Sequence, residues 1–554
     1  MQHTRGLILA LCCCGVTFGQ EPRQTTRGRA AKQGDSRRAA IRGAAQTAGL
    51  AFDDDEIQLM LRTVGRNLRS FETLRRRALP NAIAPALTFS AFLPGIGRRA
   101  VAVEPDALTL PKSARPKNLD ALAFADIPTL AALIRSRQVS CVELTKFFLA
   151  RLRKLDPKLH CVIHYTEKRA LETAAARDAE LADGKWRGLL HGIPYGAKDL
   201  LAAKGAPTTW GATPFRDQII DRDAAVIRKL EQAGAVLVAK LSLGALAWGD
   251  VWFGGRTRNP WDPTRGSSGS SAGPASATAA GAVPFALGSE TLGSIVSPSA
   301  ECGCTSLRPT FGRVSRDGAM ALSWSMDKLG PLCRSVRDAA IVFAAIQGPA
   351  TTGETDAAVF ARPFRVPRRL DIHGFRVGVL RGSLAKDAPI RIELAKLGVE
   401  FVEISLPRYP TRDMVFILNV EGAAAFDELT RSGRDDELVR QQERAWPNVF
   451  RAARLVPAVE YLQANRLRTQ LMREFDAVMA KVDVLVHPPF AGGILTMTNL
   501  TGHPTVVAPY RMRAGKRPGS ICFTGQLADE ERLLGFCRAW QETTPYHTRH
   551  PRSN

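Results

Sequence analysis

No stretch of this chain repeats at solenoid or propeller spacing, which removes the repeat architectures. Metal-type cysteine spacing is missing as well. Beyond the first twenty residues the cysteines are Cys141, Cys161, Cys302, Cys304, Cys333, Cys522 and Cys537, an odd set without recurring pairs. It supports neither a disulfide framework nor a metal site, and Cys302-Gly-Cys304 reads as small residues beside a glycine turn. Acidic residues are few, 53 against 76 Lys and Arg, giving a formal net charge of +23. The arginines are scattered along the whole chain, and no helix-turn-helix, RNP-like or zinc-finger pattern accompanies them. The surplus therefore reads as a solvated basic surface, and no specific nucleic-acid partner is expected.

What is present suits a soluble globular protein with a large core: 554 residues, 45% hydrophobic and 23% charged. Residues 1–19 begin basic at Arg5, run apolar from Gly6 to Phe18 and carry small residues at Thr17 and Gly19. That is the layout of a secretory signal peptide, too short for a comfortable membrane span. It predicts an exported chain, periplasmic or secreted, with no transmembrane segment once the signal is removed. A cytoplasmic chain with an ordinary N-terminus is the alternative, and a lipid anchor at Cys12, Cys13 or Cys14 a weaker one, because bulky Leu11 or another cysteine precedes each. Residues 20–115 form a basic N-terminal extension, partly disordered or helical: tail-like to about Leu50, then helix-forming after Phe52, where acidic residues lead an apolar-periodic run. Residues 546–554 are a short C-terminal tail.

Regular α/β alternation fills the main domain, 116–545. IPTLAALIRSRQ predicts a short helix. Ser140 and Glu143 spell a capping box for a second helix that Asp156-Pro157 ends. A third helix over KRALETAAARDAELADG precedes a glycine-punctuated strand that delivers Lys198 next to Asp199. A lysine there is either a surface group or a desolvated amine able to act as a base. DRDAAVIRKLEQAG and AVLVAKL read as helix then buried strand, GDVWFGGRTRNPWDPTR as loop, and Met414 to Met479 as mainly helical.

The chemistry concentrates between Arg265 and Gly318, where serines sit in glycine turns around an apolar run. Such turns can hold a nucleophile against backbone N–H groups. Gly269-Ser270-Ser271-Ala272-Gly273 matches the G-x-S-x-G elbow, but no strand precedes it. S-x-x-K occurs at Ser325 to Lys328 and at Ser383 to Lys386 without K-T-G or S-D-N, which discards the penicillin-recognising enzymes. GIPYGAKDL, GSSAGPASATAAG, GSETLGSIVSPSAECG and LRPTFGRVSRDG, in this order, resemble the amidase signature family.

The resemblance implies one large α/β domain with a mixed twisted sheet covered by helices, no cofactor and no metal, and a small-molecule amide substrate; it leaves the oligomeric state open. It places the nucleophile on Ser294, a bridging serine on Ser270 and the general base on Lys198. Oxyanion donors would be the backbone N–H groups of Thr291, Leu292, Gly293 and Ser294, with Ser271 and Gly269 in support. It further implies a cis Gly269–Ser270 peptide and tight turns at Gly288 and Gly293, with the run SAGPASATAAG forming a close-packed helix beneath. Where the family often has GTDTGGSIR this chain has GSETLGSIV, with Glu290, Leu292 and Val296 altered; loss of the arginine predicts loss of an ion pair and a changed pocket. The implied activity is hydrolysis of a carboxamide C–N bond. The ammonia-releasing subunit of a tRNA-dependent amidotransferase is the alternative, and a catalytically silent binding protein a third. His487 and His503 read as packed or pocket-wall residues, and the pocket is expected near Leu292, Met414 to Met479 and Thr501 to Pro504.

Overall fold

The structure, a computed structural model, describes residues 26–76, 80, 81, 83, 87–94, 103–513 and 517–551. The signal-peptide reading of residues 1–19 falls outside the described residues. Two compact units meet in sequence at Ala78 and Leu79. The first contains helices α1 (Thr26–Thr47) and α2 (Asp54–Arg75). The stretch whose composition suggests a tail is thus helical over Thr26–Thr47, since Ala, Arg and Gln favour helix and no proline interrupts it. Helix α2 opens on a full capping box: Glu56 N–H donates to Asp53 at 2.8 Å and Asp53 N–H to Glu56 at 2.9 Å.

The second unit is built on one eleven-stranded mixed sheet. Its strands are β1 (Val162–Tyr165), β2 (Pro194–Lys198), β3 (Val236–Leu241), β4 (Phe285–Glu290), β5 (Thr305–Arg308), β6 (Lys328–Cys333), β7 (Arg376–Leu380), β8 (Glu400–Ile404), β9 (Val484–His487), β10 (Thr505–Arg513) and β11 (Arg517–Thr524). Their spatial order is β1-β3-β2-β4-β6-β5-β10-β11-β9-β7-β8. Strands β3, β2 and β4 run parallel to one another, as do β9, β7 and β8, while antiparallel pairs join the two groups. Every residue of β2, β3, β4, β6 and β9 is buried, which accounts for their continuous apolar and small-residue sequences.

Helices α3 (Ile127–Arg135), α4 (Cys141–Leu159), α5 (Glu167–Ala182) and α6 (Ala225–Gln232) supply the crossovers of the first half. The capping box of α4 forms only halfway. Ser140 accepts from Glu143 N–H at 3.0 Å, but the Glu143 carboxylate turns to Arg115, which donates to it at 2.8 and 2.5 Å. Nor does Asp156-Pro157 end this helix. It continues to Leu159 and stops at left-handed His160, with the Asp156 carboxylate accepting from Cys161 and Val162 N–H. The segment that reads as loop holds two short hairpins, Val251–Trp252 with Gly255–Arg256 and Arg258–Asn259 with Asp262–Gly266. Met414 to Met479 is helical as expected, over Phe416–Ala425, Asp427–Arg431, Trp446–Ala453 and Ala458–Met479.

Helices α7 (Ala272–Ala279) and α8 (Val296–Cys302) position the serine turns. All eight residues of α7 are buried, and its Ala, Gly and Ser side chains are what allow it so close to the sheet. Strand β2 ends at Lys198 beside β4, paired in parallel at Ala197 and Leu287. The carboxyl ends of two adjacent parallel strands therefore open together, where α/β sheets place their ligands.

Candidate active site

Lys198 emerges from β2 into a ring of serines. Its Nζ lies 2.8 Å from Ser270 Oγ, 3.2 Å from Ser271 Oγ, 2.9 Å from Ser289 Oγ and 3.4 Å from the Ser289 carbonyl. The amine is fully buried, and burial drives its pKa well below the ordinary lysine value, with the negative charges of Asp327 and Glu290 only partly opposing. Adjacent Asp199 does not offset this. It is fully buried too, 2.6 Å from Lys240, and takes both the N–H and hydroxyl of Thr209.

The two serines of the first turn are not equivalent. Ser271 donates its hydroxyl proton to the Ser289 carbonyl at 3.0 Å and accepts from Ser289 N–H at 3.2 Å. Ser270 meets Lys198 with its hydroxyl otherwise uncommitted among the described residues, and it follows a cis Gly269–Ser270 peptide. Ser271 N–H donates to the Ser294 carbonyl at 3.0 Å, so one backbone bond joins the two turns.

Ser294 is 8% exposed, at the end of the turn from Thr291 that leads out of β4. The N–H groups of Thr291, Leu292, Gly293 and Ser294 find no acceptor among the described residues. Gly293 has φ +87°, a conformation only glycine adopts freely. Gly288, expected in the turn, lies instead inside β4; a Cβ there would come within 2.8 Å of Ser271 Oγ and 2.5 Å of Leu332. Its role is close approach rather than a bend.

Glu290 holds this turn in shape. One carboxylate oxygen accepts from Ile295 N–H at 2.8 Å and Val296 N–H at 2.9 Å; the other accepts from Arg308 at 2.8 Å and from Asn499 at 2.8 Å. Burial opposes its ionisation, but the Arg308 charge and hydrogen bonds outweigh burial and hold it at about 2. The ion pair expected to vanish with the arginine at position 296 is therefore present, supplied by Arg308 from β5, while Val296 packs against Ala300, Val507 and Cys522. Arg308→Met leaves Glu290 buried without its cation and is expected to destabilise the fold by about 3–5 kcal/mol, readable as a lowered urea midpoint.

A cleft of ≈ 650 Å³ opens beside Ser289 and Thr291, walled by Leu200, Ala247, Met320, Leu322, Trp324 and Leu329. This wall comes from residues 316–329 rather than from Met414 to Met479 or Thr501 to Pro504. Its charged groups are all committed. Arg316 forms a two-point pair with Asp356 at 2.8 and 2.6 Å, Asp317 takes Arg222 at 2.6 Å and Arg228 at 3.0 Å, and Asp327 takes the Thr291 hydroxyl at 2.5 Å with the N–H groups of Leu322 and Ser323. His487 is buried between the Pro488 carbonyl and Thr524, and His503 beside Thr501 and Phe475; neither lines this cleft.

Residue types and spacing do not single out Ser289 or Arg308. Strand alternation carries the signal for Ser289, because Glu290 and Ser289 must face opposite sides of β4. Arg308 gives no such signal, since its partner lies across the sheet. Among the described residues no cluster of His, Cys, Asp and Glu could hold a metal ion, no helix is long and apolar enough to cross a membrane, and all seven cysteines are buried and unpaired.

Sheet, serine turns and buried lysine together define an amidase-signature domain. The chain belongs to the amidase family, whose model matches residues 143–513. It is 32% identical to the amidase-family subunit of glutamyl-tRNA(Gln) amidotransferase from Chloroflexus aurantiacus, over 76% of this chain and 97% of that protein. The corresponding Roseiflexus protein is also 32% identical, over 76% and 96%. Among solved structures, the peptide amidase of Stenotrophomonas maltophilia is 28% identical with a TM-score of 0.68, covering 77% of this chain and 98% of that one.

Proposed function

We propose that the protein cleaves a carboxamide C–N bond through an acyl-enzyme on Ser294. The observation that carries this is the contact between the buried, proton-poor Lys198 amine and Ser270 Oγ, next to a turn with four uncommitted N–H groups. Lys198 takes the Ser270 proton as Ser270 takes that of Ser294, and Ser294 Oγ attacks the amide carbon. The N–H groups of Thr291 to Ser294 receive the oxyanion, each such donor being worth about 2.7–4 kcal/mol in the transition state. The proton returns through Ser270 to the departing nitrogen, and water then releases the acid. A cleft with apolar walls and internally paired charges suits an uncharged acyl group. A screen of aryl, alkyl and amino-acid carboxamides for released ammonia or amine tests the proposal; silence across the panel counts against it.

The names of the curated relatives favour a second reading, an amidotransferase subunit whose released ammonia goes to an acceptor instead of leaving free. The two readings also part on location, because an exported chain would not meet aminoacyl-tRNA. Determining the N-terminus of the purified protein and its co-purifying chains separates them. An uncut N-terminus with stable partner subunits supports the transferase, and cleavage near residue 19 supports the exported hydrolase.

A further inference from the structure

We propose that Asn81 is a specificity-determining residue, tying the segment ahead of the family-matched region to the cleft rim and so setting how bulky an acyl group enters. The inference rests on the amide-cleaving reading of Ser294. Asn81 precedes residues 143–513, the part matched by the family, so what it does is particular to this chain's N-terminal side.

The half-buried Asn81 side chain meets Ala321, a cleft-lining residue, as a neighbouring strand would. Its Oδ1 accepts from Ala321 N–H at 2.7 Å and its Nδ2 donates to the Ala321 carbonyl at 2.8 Å. The same Nδ2 reaches the carbonyl of Ala425, at the end of the helix Phe416–Ala425, at 3.4 Å. One amide thus joins three parts of the chain that are 240 and 344 residues apart in sequence. From Ala321 the connection continues inward. Leu322 N–H donates to Asp327, and Asp327 accepts the hydroxyl of Thr291, first residue of the proposed oxyanion turn.

A second anchor keeps the segment on the same unit. Ala91 is buried where Gly502 leaves room, since a Cβ on Gly502 would come within 2.9 Å of it. Phe89 stands edge-on to Phe311 at 5.0 Å under the Arg468 guanidinium, and Phe92 packs on Phe360 at 5.1 Å. Between the anchors Ile83 is 58% and Leu87 73% exposed. Apolar burial by these two residues therefore does not hold the near end in place, and the Asn81 amide is the polar tie that does. Without it the N–H and carbonyl of Ala321 lose their partner, and the wall of residues 320–322 is free to shift outward.

The test compares the full-length protein with Asn81→Ala on a homologous series of short- and long-acyl carboxamides, and on short- and long-alkyl fluorophosphonates that label Ser294. The long-to-short preference should rise by roughly tenfold, the size of effect expected from changed room for a few methylenes. For the amides the shift should lie in KM. Asn81→Asp, which keeps the acceptor for Ala321 N–H but loses the donor, should shift the preference the same way and serves if the alanine variant does not fold. A reactive wild type with an unchanged preference in both variants overturns the role of Asn81 alone. A wild type inert to every amide and both probes overturns the Ser294 reading, and this inference with it.

Discussion

Ser294→Ala is expected to lower kcat by about 10⁴- to 10⁶-fold, the range seen when the nucleophile of a serine hydrolase is removed. The substitution deletes one oxygen and leaves the four N–H groups of the turn in place, so substrate should still bind and KM should change little. The fold should survive as well. The backbone carbonyl of Ser294, not its hydroxyl, accepts from Ser271 N–H, and Glu290 fixes the turn from the opposite side. Activity assays with a thermal melt of both proteins check the prediction, and a fluorophosphonate adduct on Ser294 of the wild type, absent in the variant, identifies the oxygen directly. Wild-type protein that forms no adduct while folded would favour the silent binding reading. Ser271→Ala is the informative comparison. Its hydroxyl proton is held by the Ser289 carbonyl, so its loss should perturb the Lys198 pocket without removing the nucleophile, and turnover should fall far less.

How much of this site the sequence discloses depends on whether its chemistry is local. The serine turns are local: Gly269 to Gly273 and Gly288 to Ser294 are short segments in which serine and glycine alternate for steric reasons. The strands β2 and β4 also show themselves as apolar runs bounded by glycine. Lys198 is harder, because the residues ahead of it do not say whether its amine meets solvent or serines. Only the pairing of β2 with β4 brings it to Ser270 and Ser289. The departures at Glu290 and Val296 mislead for the same reason, since the missing cation arrives from β5 on the far side of β6. The substrate wall is the least legible feature. Residues 316–329 have no strong periodicity, and they become a wall because Asp327, Arg316 and Asp317 are each pinned by partners distant in sequence. Helix α1 is obscured differently, by a composition common to tails and to alanine-rich helices.

Replacing the lysine gives the second large effect and exposes its protonation state. Lys198→Met should reduce kcat/KM by about 10²- to 10⁴-fold, the usual contribution of a positioned general base. In the wild type, kcat/KM should rise with pH as the free enzyme's amine loses its proton, then level off. The limb lies below the ordinary lysine value of about 10.4, since burial among serines lowers the pKa. Stability carries the same information. Between the depressed folded value and about 10.4 the unfolded chain binds a proton at this position that the folded chain does not, so wild-type stability climbs with pH across that window. Above it the amine is neutral in both states, and the contribution is fully present. Lys198→Met lacks this titration, so the difference in unfolding free energy, wild type minus variant, should grow from neutral pH to about pH 10 and then flatten. Urea denaturation of both proteins at several pH values measures it. A difference that stays constant across that range would mean the folded lysine keeps its ordinary pKa and enters the reaction charged, and Lys198 could then not take the proton from Ser270.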